Sequence, residues 1–286
     1  MVLLKKVYHK SNYKEIKDDL LNYIDINNKK KNTGKKILKK EIKELDLLRY
    51  MKYVFLAGKY YKGNVNRTTL QFKNKEYHPY YFLEKKKDEL IIVFKGTSEY
   101  NDFILDIKHY REGLNMILIT HMNIISKILF YYNLIDYIQE YQGKKVTIVG
   151  FSLGAVFGSY LLLILKLIDK KKYKIENINF KMYSFNCPIC VPKFYQKYIN
   201  RNIIAVVNEK DPIVCFRGMN YTPLYTVGGN SIYNFIYNKK LKKVECFQRS
   251  YEYFNNIGIF QTSSLSTHRL RNLKKNIELF LEENTF

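Results

Sequence analysis

Hydrophobic residues recur at intervals of three and four between Tyr13 and Tyr61, as in Ile42, Leu45 and Leu48 followed by Met51, Phe55 and Leu56. That spacing places them on one face of a helix. An N-terminal helical layer is therefore predicted over residues 1–64. Lysines crowd around Asn32-Thr33-Gly34 between Lys29 and Lys40, a loop signal whose like charges repel one another. This stretch reads as a solvated loop or as an anchor for acidic phospholipid headgroups. After Asn64 the pattern turns to strands, at 68–72, 77–83 and 89–94, the last an apolar run ending in Lys95-Gly96-Thr97. A helix is expected over 123–141, a buried strand at 146–149, an apolar helix over 155–168 and a strand at 178–185. A short helix at 192–199 and a strand at 202–207 follow. Alternating strands and helices imply right-handed crossovers and a mostly parallel sheet covered on both faces, an α/β fold. Hairpin strands come next, at 224–227, 231–237 and 244–247. An amphipathic helix over 267–283 closes the chain, with Leu270, Leu273, Ile277, Phe280 and Leu281 inward. No repeat or linker interrupts this order, so a single domain over 1–286 is expected, its sheet core in 65–286.

Composition narrows the partners. A chain of 286 residues with 27 Tyr and 18 Phe has the material for a packed core and is not a disordered sequence. The formal net charge of +23 would attract polyanions. However, 41 of the 49 cations are Lys, which an AT-rich coding sequence also produces, and recognition of nucleic acid favours Arg. Without a nucleic-acid-binding motif, no such partner is expected; an anionic membrane surface fits better. No apolar stretch approaches the roughly 20 residues that span a bilayer. The opening Met1-Val2-Leu3-Leu4-Lys5-Lys6 has its charge after its apolar run, unlike a secretory signal. A cytoplasmic location with peripheral membrane association is the expectation. Of the cysteines at 187, 190, 215 and 246, one pair forms Cys-x-x-Cys, but no second ligand pair follows, so free thiols and no metal site are expected.

Gly150-Phe151-Ser152-Leu153-Gly154 fits a nucleophile elbow, in which a serine sits on a tight strand-to-helix turn. A buried strand leads in and an apolar helix leads out, so helix N-terminal amides would face any anion formed beside Ser152. Serine at neutral pH needs a base, and the base needs an orienting acid. His268 is the one histidine after Ser152. The acid should follow a strand between the two, and 202–207 delivers Asn208-Glu209-Lys210-Asp211-Pro212. Asp211 is the choice, its following backbone held by Pro212, with Glu209 as rival. Oxyanion donors would be the Leu153 amide and the amide and hydroxyl of Thr97, for which the alternative role is a cap residue.

Together these residues resemble the class 3 (fungal-type) lipases of the α/β-hydrolase superfamily. The resemblance runs from about Glu89 to His268 through Val93-Phe94-Lys95-Gly96-Thr97, Gly150-Phe151-Ser152-Leu153-Gly154-Ala155, Ser184-Phe185-Asn186-Cys187-Pro188, Asn208-Glu209-Lys210-Asp211-Pro212-Ile213-Val214 and Thr267-His268. It implies a Ser152, Asp211, His268 triad, an oxyanion hole from Thr97 and Leu153, and no cofactor. The implied activity is hydrolysis of lipid carboxylic esters at a membrane or droplet interface, foremost triacylglycerol, with phospholipase A1 or another lipid esterase as alternative. A lipid-binding protein that has lost turnover is the other alternative. Three departures fall beside the reacting residues: Lys95 for the family's Arg, Phe151 for a polar residue, and Asn186 for a glycine. The resemblance also makes 98–107, with Phe103, Ile104, Leu105 and Ile107 beside Glu99, Asp102 and Asp106, an amphipathic lid, against a helix simply packed on the core. It places Cys187 and Cys190 on a structural loop.

Overall fold

The computed structural model describes residues 34–60, 70–72, 75–77, 81–94, 96, 121–188, 191–192, 195–208, 211, 214, 225–226, 232–238, 241, 243–249 and 269–282. The chain divides at Gly34, and residues 34–286 make one compact unit. Its sheet, among the described residues, has ten strands: β1 (Lys35–Lys36), β2 (Leu70–Phe72), β3 (Lys75–Tyr77), β4 (Tyr81–Lys85), β5 (Glu89–Phe94), β6 (Lys145–Phe151), β7 (Asn179–Phe185), β9 (Ile203–Asn208), β11 (Ile232–Asn238) and β12 (Lys243–Arg249). Their spatial order is β1-β12-β11-β9-β7-β6-β5-β4-β3-β2. Strands β5, β6, β7, β9 and β11 run parallel, with antiparallel pairs on either side. Strands β8 (Val191–Pro192) and β10 (Tyr225–Thr226) form a separate antiparallel pair.

The parallel strands follow one another across the sheet without reversal, so right-handed crossovers carry their connecting helices to a single face. On that face lies α4 (Leu153–Leu167), which follows α1 (Lys39–Glu44), α2 (Leu47–Tyr60) and α3 (Leu134–Gln139) and precedes α5 (Gln196–Ile199) and α6 (Leu270–Glu282). Every residue of α4 from Gly154 to Leu165 is buried, which explains a run apolar on all sides. The other face is left to the two ends of the described chain. Met51 and Val54 of α2 and Leu273, Ile277 and Phe280 of α6 pack there against Val93, Val149, Tyr183, Val206 and Phe235. Burying the three α6 side chains contributes roughly 5–9 kcal/mol before chain entropy is charged against it.

At the N-terminal edge of the parallel strands a carboxylate is locked in place. Glu89, which opens β5, accepts hydrogen bonds from Thr147 Oγ1 (2.6 Å), Tyr50 Oη (2.7 Å) and Arg49 Nη2 (2.7 Å), and pairs with Lys145 Nζ at 2.9 Å. Burial pushes its pKa up. Hydrogen bonds from Thr147, Tyr50 and Lys145, with the Lys145 charge, outweigh burial and hold it at about 2. The Tyr50 ring stacks on Tyr183 at 4.0 Å, fastening α2 to β7.

Most expected elements are found within a residue or two, and four differ in form. The expected helix over 123–141 is helical at 121–126, winds into a π-helical turn at Lys127–Tyr131 and breaks at Asn133, whose φ of 55° starts α3 afresh. The buried Leu129 and Leu134 are five positions apart, one more than a continuous helical stripe allows, and the break absorbs the surplus. The expected strand 77–83 belongs to two strands, β3 and β4. The expected helix 192–199 is shortened to α5, because Val191–Pro192 pairs with β10. The lysine-rich stretch is not all loop: Lys35 and Lys36 pair with Gln248 and Phe247, and α1 begins at Lys39. Residues 1–33 lie outside the described residues, as does the expected lid at 98–107. Among the described residues no helix is long and apolar enough to cross a membrane.

Candidate active site

Strand β6 ends at Phe151, α4 starts at Leu153, and Ser152 turns between them with φ 54° and ψ −126°. L-residues other than Gly avoid this conformation, at a cost of about 1–3 kcal/mol, and functional sites are where it persists. The turn is held from both sides. The Ser152 N–H donates to the Phe185 carbonyl at 3.0 Å, and the Ser152 carbonyl accepts from the amides of Ala155 (2.9 Å) and Val156 (3.2 Å). Gly150 allows the tightness, because a Cβ there would lie 2.3 Å from the Gly154 carbonyl oxygen. Leu153, first residue of α4, has its amide free of the intrahelical ladder at the positive end of the helix dipole. Ser152 is 6% exposed.

The backbone that leaves β5, where the oxyanion donor Thr97 is expected, begins beside this turn. A Cβ on Gly96 would lie 2.7 Å from the Phe151 carbonyl oxygen, so the backbone after β5 presses on the residue preceding Ser152. Thr97 and Lys95 lie outside the described residues, as do Glu209 and His268. Asp211 is described and fully buried just past β9. Its Oδ1 accepts from the Val214 amide (3.4 Å), and its own amide donates to the Asn208 carbonyl (3.4 Å). Ser152 and Asp211 thus share the C-terminal edge of the parallel strands. Their strands are separated by β7 alone, two spacings or about 10 Å.

Three asparagines that sequence reasoning did not link tie this edge together. Asn208 donates its amide to Asn186 Oδ1 at 3.1 Å and accepts at its Oδ1 from Asn276 Nδ2 of α6 at 2.9 Å. The Asn186 amide donates to the Val206 carbonyl at 2.9 Å. Asn186 follows the Phe185 carbonyl that holds Ser152, Asn208 precedes the Asp211 turn, and α6 follows His268. The available signal was the replacement of the family's glycine: Asn186 has φ 44°, and Asn is the side chain that best tolerates that region after Gly. Two further buried groups on the α4 side of the sheet, Ser184 Oγ and both amide atoms of Asn234, make no hydrogen bond. Cys187 is buried on the turn after β7, in no disulfide, and its Sγ donates to the Pro188 carbonyl at 3.3 Å; Cys190 lies outside the described residues. Among the described residues no three His, Cys, Asp or Glu side chains gather as metal ligands would.

A parallel sheet whose central strand delivers a strained serine to a helix N-terminus, with a buried aspartate beyond the next strand but one, has the architecture of the α/β-hydrolase fold. Residues 91–221 match the family model of lipase (class 3). Among solved structures the fold is similar to Lip2 lipase from Yarrowia lipolytica, with TM-score 0.53 and 14% identity over 84% of this chain and 96% of that one. It is also similar to Rhizomucor miehei lipase in its propeptide complex, with TM-score 0.50 and 14% identity over 82% and 81%. The lipase from Rhizopus microsporus var. chinensis gives 0.50 and 12% over 82% and 88%. At these identities the likeness is one of fold. No curated protein matches the chain. The activity class supported by the family match is a lipid ester hydrolase.

Proposed function

We propose that the protein hydrolyses carboxylic esters of lipids through Ser152, with triacylglycerol as first substrate class. The backbone of Ser152, at φ 54° on a turn that only Gly150 permits, is the observation that carries this reading. In it His268 takes the Ser152 proton as Oγ bonds to the ester carbonyl carbon, and Asp211 orients His268. The oxyanion is held by the amides of Leu153 and Thr97. Collapse breaks the acyl–oxygen bond, the alcohol leaves with the proton from His268, and water attacking the acyl-serine releases the fatty acid. The formal charge of +23 favours anionic phospholipid as second substrate class.

The test compares the protein with Ser152→Ala on p-nitrophenyl butyrate, emulsified triglyceride and phosphatidylglycerol vesicles, alongside labelling by a fluorophosphonate. Loss of at least about a thousandfold in turnover, and loss of the label, is expected for Ser152→Ala. Turnover that survives Ser152→Ala, or a folded protein inert on all three substrates, overturns the reading.

A further inference from the structure

At the edge of the sheet opposite Ser152, aromatic rings and lysines meet on one surface. The π-helical turn at Lys127–Tyr131 ends in Phe130, Tyr131 and Tyr132, whose relative exposures are 39%, 78% and 40%. Beside it the turn before β7 carries Lys170, Lys171, Lys172, Tyr173 and Lys174. The rings are in contact, Phe130 with Tyr173 at 5.4 Å and Tyr131 with Tyr132 at 5.2 Å.

This lysine turn is built, not slack. Its amides close on themselves, Tyr173 to the Asp169 carbonyl (3.1 Å), Lys174 to that of Lys171 (3.1 Å) and Ile175 to that of Lys170 (2.9 Å). Asp169 Oδ1 accepts the Lys172 amide at 3.1 Å. From the end of α3 Gln139 Nε2 donates to the Tyr173 carbonyl at 2.8 Å, and from the turn before β6 Gln142 Nε2 donates to that of Lys174. Fixing four lysines in one turn raises their mutual repulsion; among the described residues none of their ammonium groups has an ion-pair partner, and that of Lys172 lies over the Tyr173 ring at 5.5 Å. The crowding reaches Lys166, whose pKa is lowered by burial and then by the Lys170 charge.

Exposed tyrosines beside a turn of lysines suit one environment in particular: the headgroup region of an anionic bilayer. Tyr131 projects into solvent instead of lining a groove, which suits a plane more than a threaded polymer chain. We propose that this edge is a docking surface for an anionic phospholipid bilayer, separate from the catalytic edge. Strand β6 alone, seven residues at about 3.3 Å each, sets the two edges roughly 20 Å apart. Docked this way, the protein turns Ser152 away from the membrane that holds it, toward a second lipid surface or dispersed substrate.

The chain contains no Trp, so one introduced Trp reports alone. Tyr131→Trp places it in the patch. Tyr237→Trp places it at 50% exposure near the end of β11, on the catalytic edge. Both are made with Ser152→Ala, so that vesicles stay intact and the result is independent of the proposed hydrolysis. With vesicles of phosphatidylcholine and phosphatidylserine, Tyr131→Trp emission is expected to shift to the blue and to be quenched by brominated lipid. Phosphatidylcholine alone should give neither effect, and added salt should reverse both. Adding Lys171→Glu, Lys172→Glu and Lys174→Glu should weaken the response at least about a hundredfold, at roughly fivefold per lysine. An unshifted Tyr131→Trp probe overturns the proposal, whether the vesicles are met through the Tyr237→Trp edge or not at all. So does a Tyr131→Trp response to RNA or polyglutamate that vesicles do not elicit.

Discussion

The two edges of the parallel sheet handle polar groups in opposite ways. At the N-terminal edge every strong acceptor on Glu89 is used, by Thr147, Tyr50, Arg49 and Lys145, and the carboxyl is held at about 2. Toward the C-terminal edge Ser152 stands in a strained conformation, and Ser184 Oγ and the Asn234 amide are buried without a hydrogen bond. One end spends its polar groups on holding helix to sheet. The other holds unfavourable arrangements in place, which is what a preorganised reaction site requires. Stability and chemistry are thus divided along the length of the same strands.

Glu89→Ala should attack that division hardest. It takes the acceptor from the buried Thr147 and Tyr50 hydroxyls and the partner from the half-exposed Arg49 and Lys145, and should remove about 2–3 kcal/mol in urea unfolding, while ester turnover per folded molecule is unchanged. Turnover falling with stability intact would break the comparison. Acid titration probes the same group. Because the folded-state pKa of Glu89 lies below its usual 4.5, the unfolded chain binds the proton more readily, and the stability from Glu89 is complete above about 4.5 and lost as the pH falls toward 2. A plot of Tm against pH should lose part of its acid slope in Glu89→Gln. At the opposite edge the sign reverses: Ser152→Gly should raise stability by about 1 kcal/mol, the relieved strain less the entropy glycine brings, and abolish turnover. Smallest is Asn234→Leu, which removes two unpaired polar atoms at similar volume and should gain up to about 1 kcal/mol by calorimetry. A loss there would mean that Asn234 is satisfied in solution.

The turn at Ser152 was far more legible in the sequence than the network around Glu89. A nucleophile elbow needs particular small residues within five positions, so its signature is local: Gly150 and Ser152 announce a turn that sterics dictate. The Glu89 network is invisible by the same measure. Glu89 opens an apolar strand, and Tyr50 and Thr147 stand 39 and 58 positions away, so only the packed sheet brings them together. The order of strands and helices was readable because parallel strands buried on both faces are continuous apolar runs. The break at Asn133 was not, since Phe130, Tyr131 and Tyr132 continue an apolar run while facing solvent. Of the linked asparagines only Asn186 left a trace, as a departure from a glycine. Asn208 and Asn276 meet 68 positions apart.

The covering of one face of the sheet by the two ends of the described chain sets a timetable. Lys35 and Lys36 pair with Gln248 and Phe247, and the stripe that α2 shares with the sheet is completed by Leu273, Ile277 and Phe280. A ribosome delivers β12 and α6 well after the strands that α2 first meets, so β1 waits for its pairing partner and the α2 stripe stays open on one side until α6 emerges. Contacts of such long sequence separation slow folding and lengthen the exposure of apolar surface. The nascent protein therefore keeps apolar surface exposed until α6 emerges, and activity should not arrive before that point.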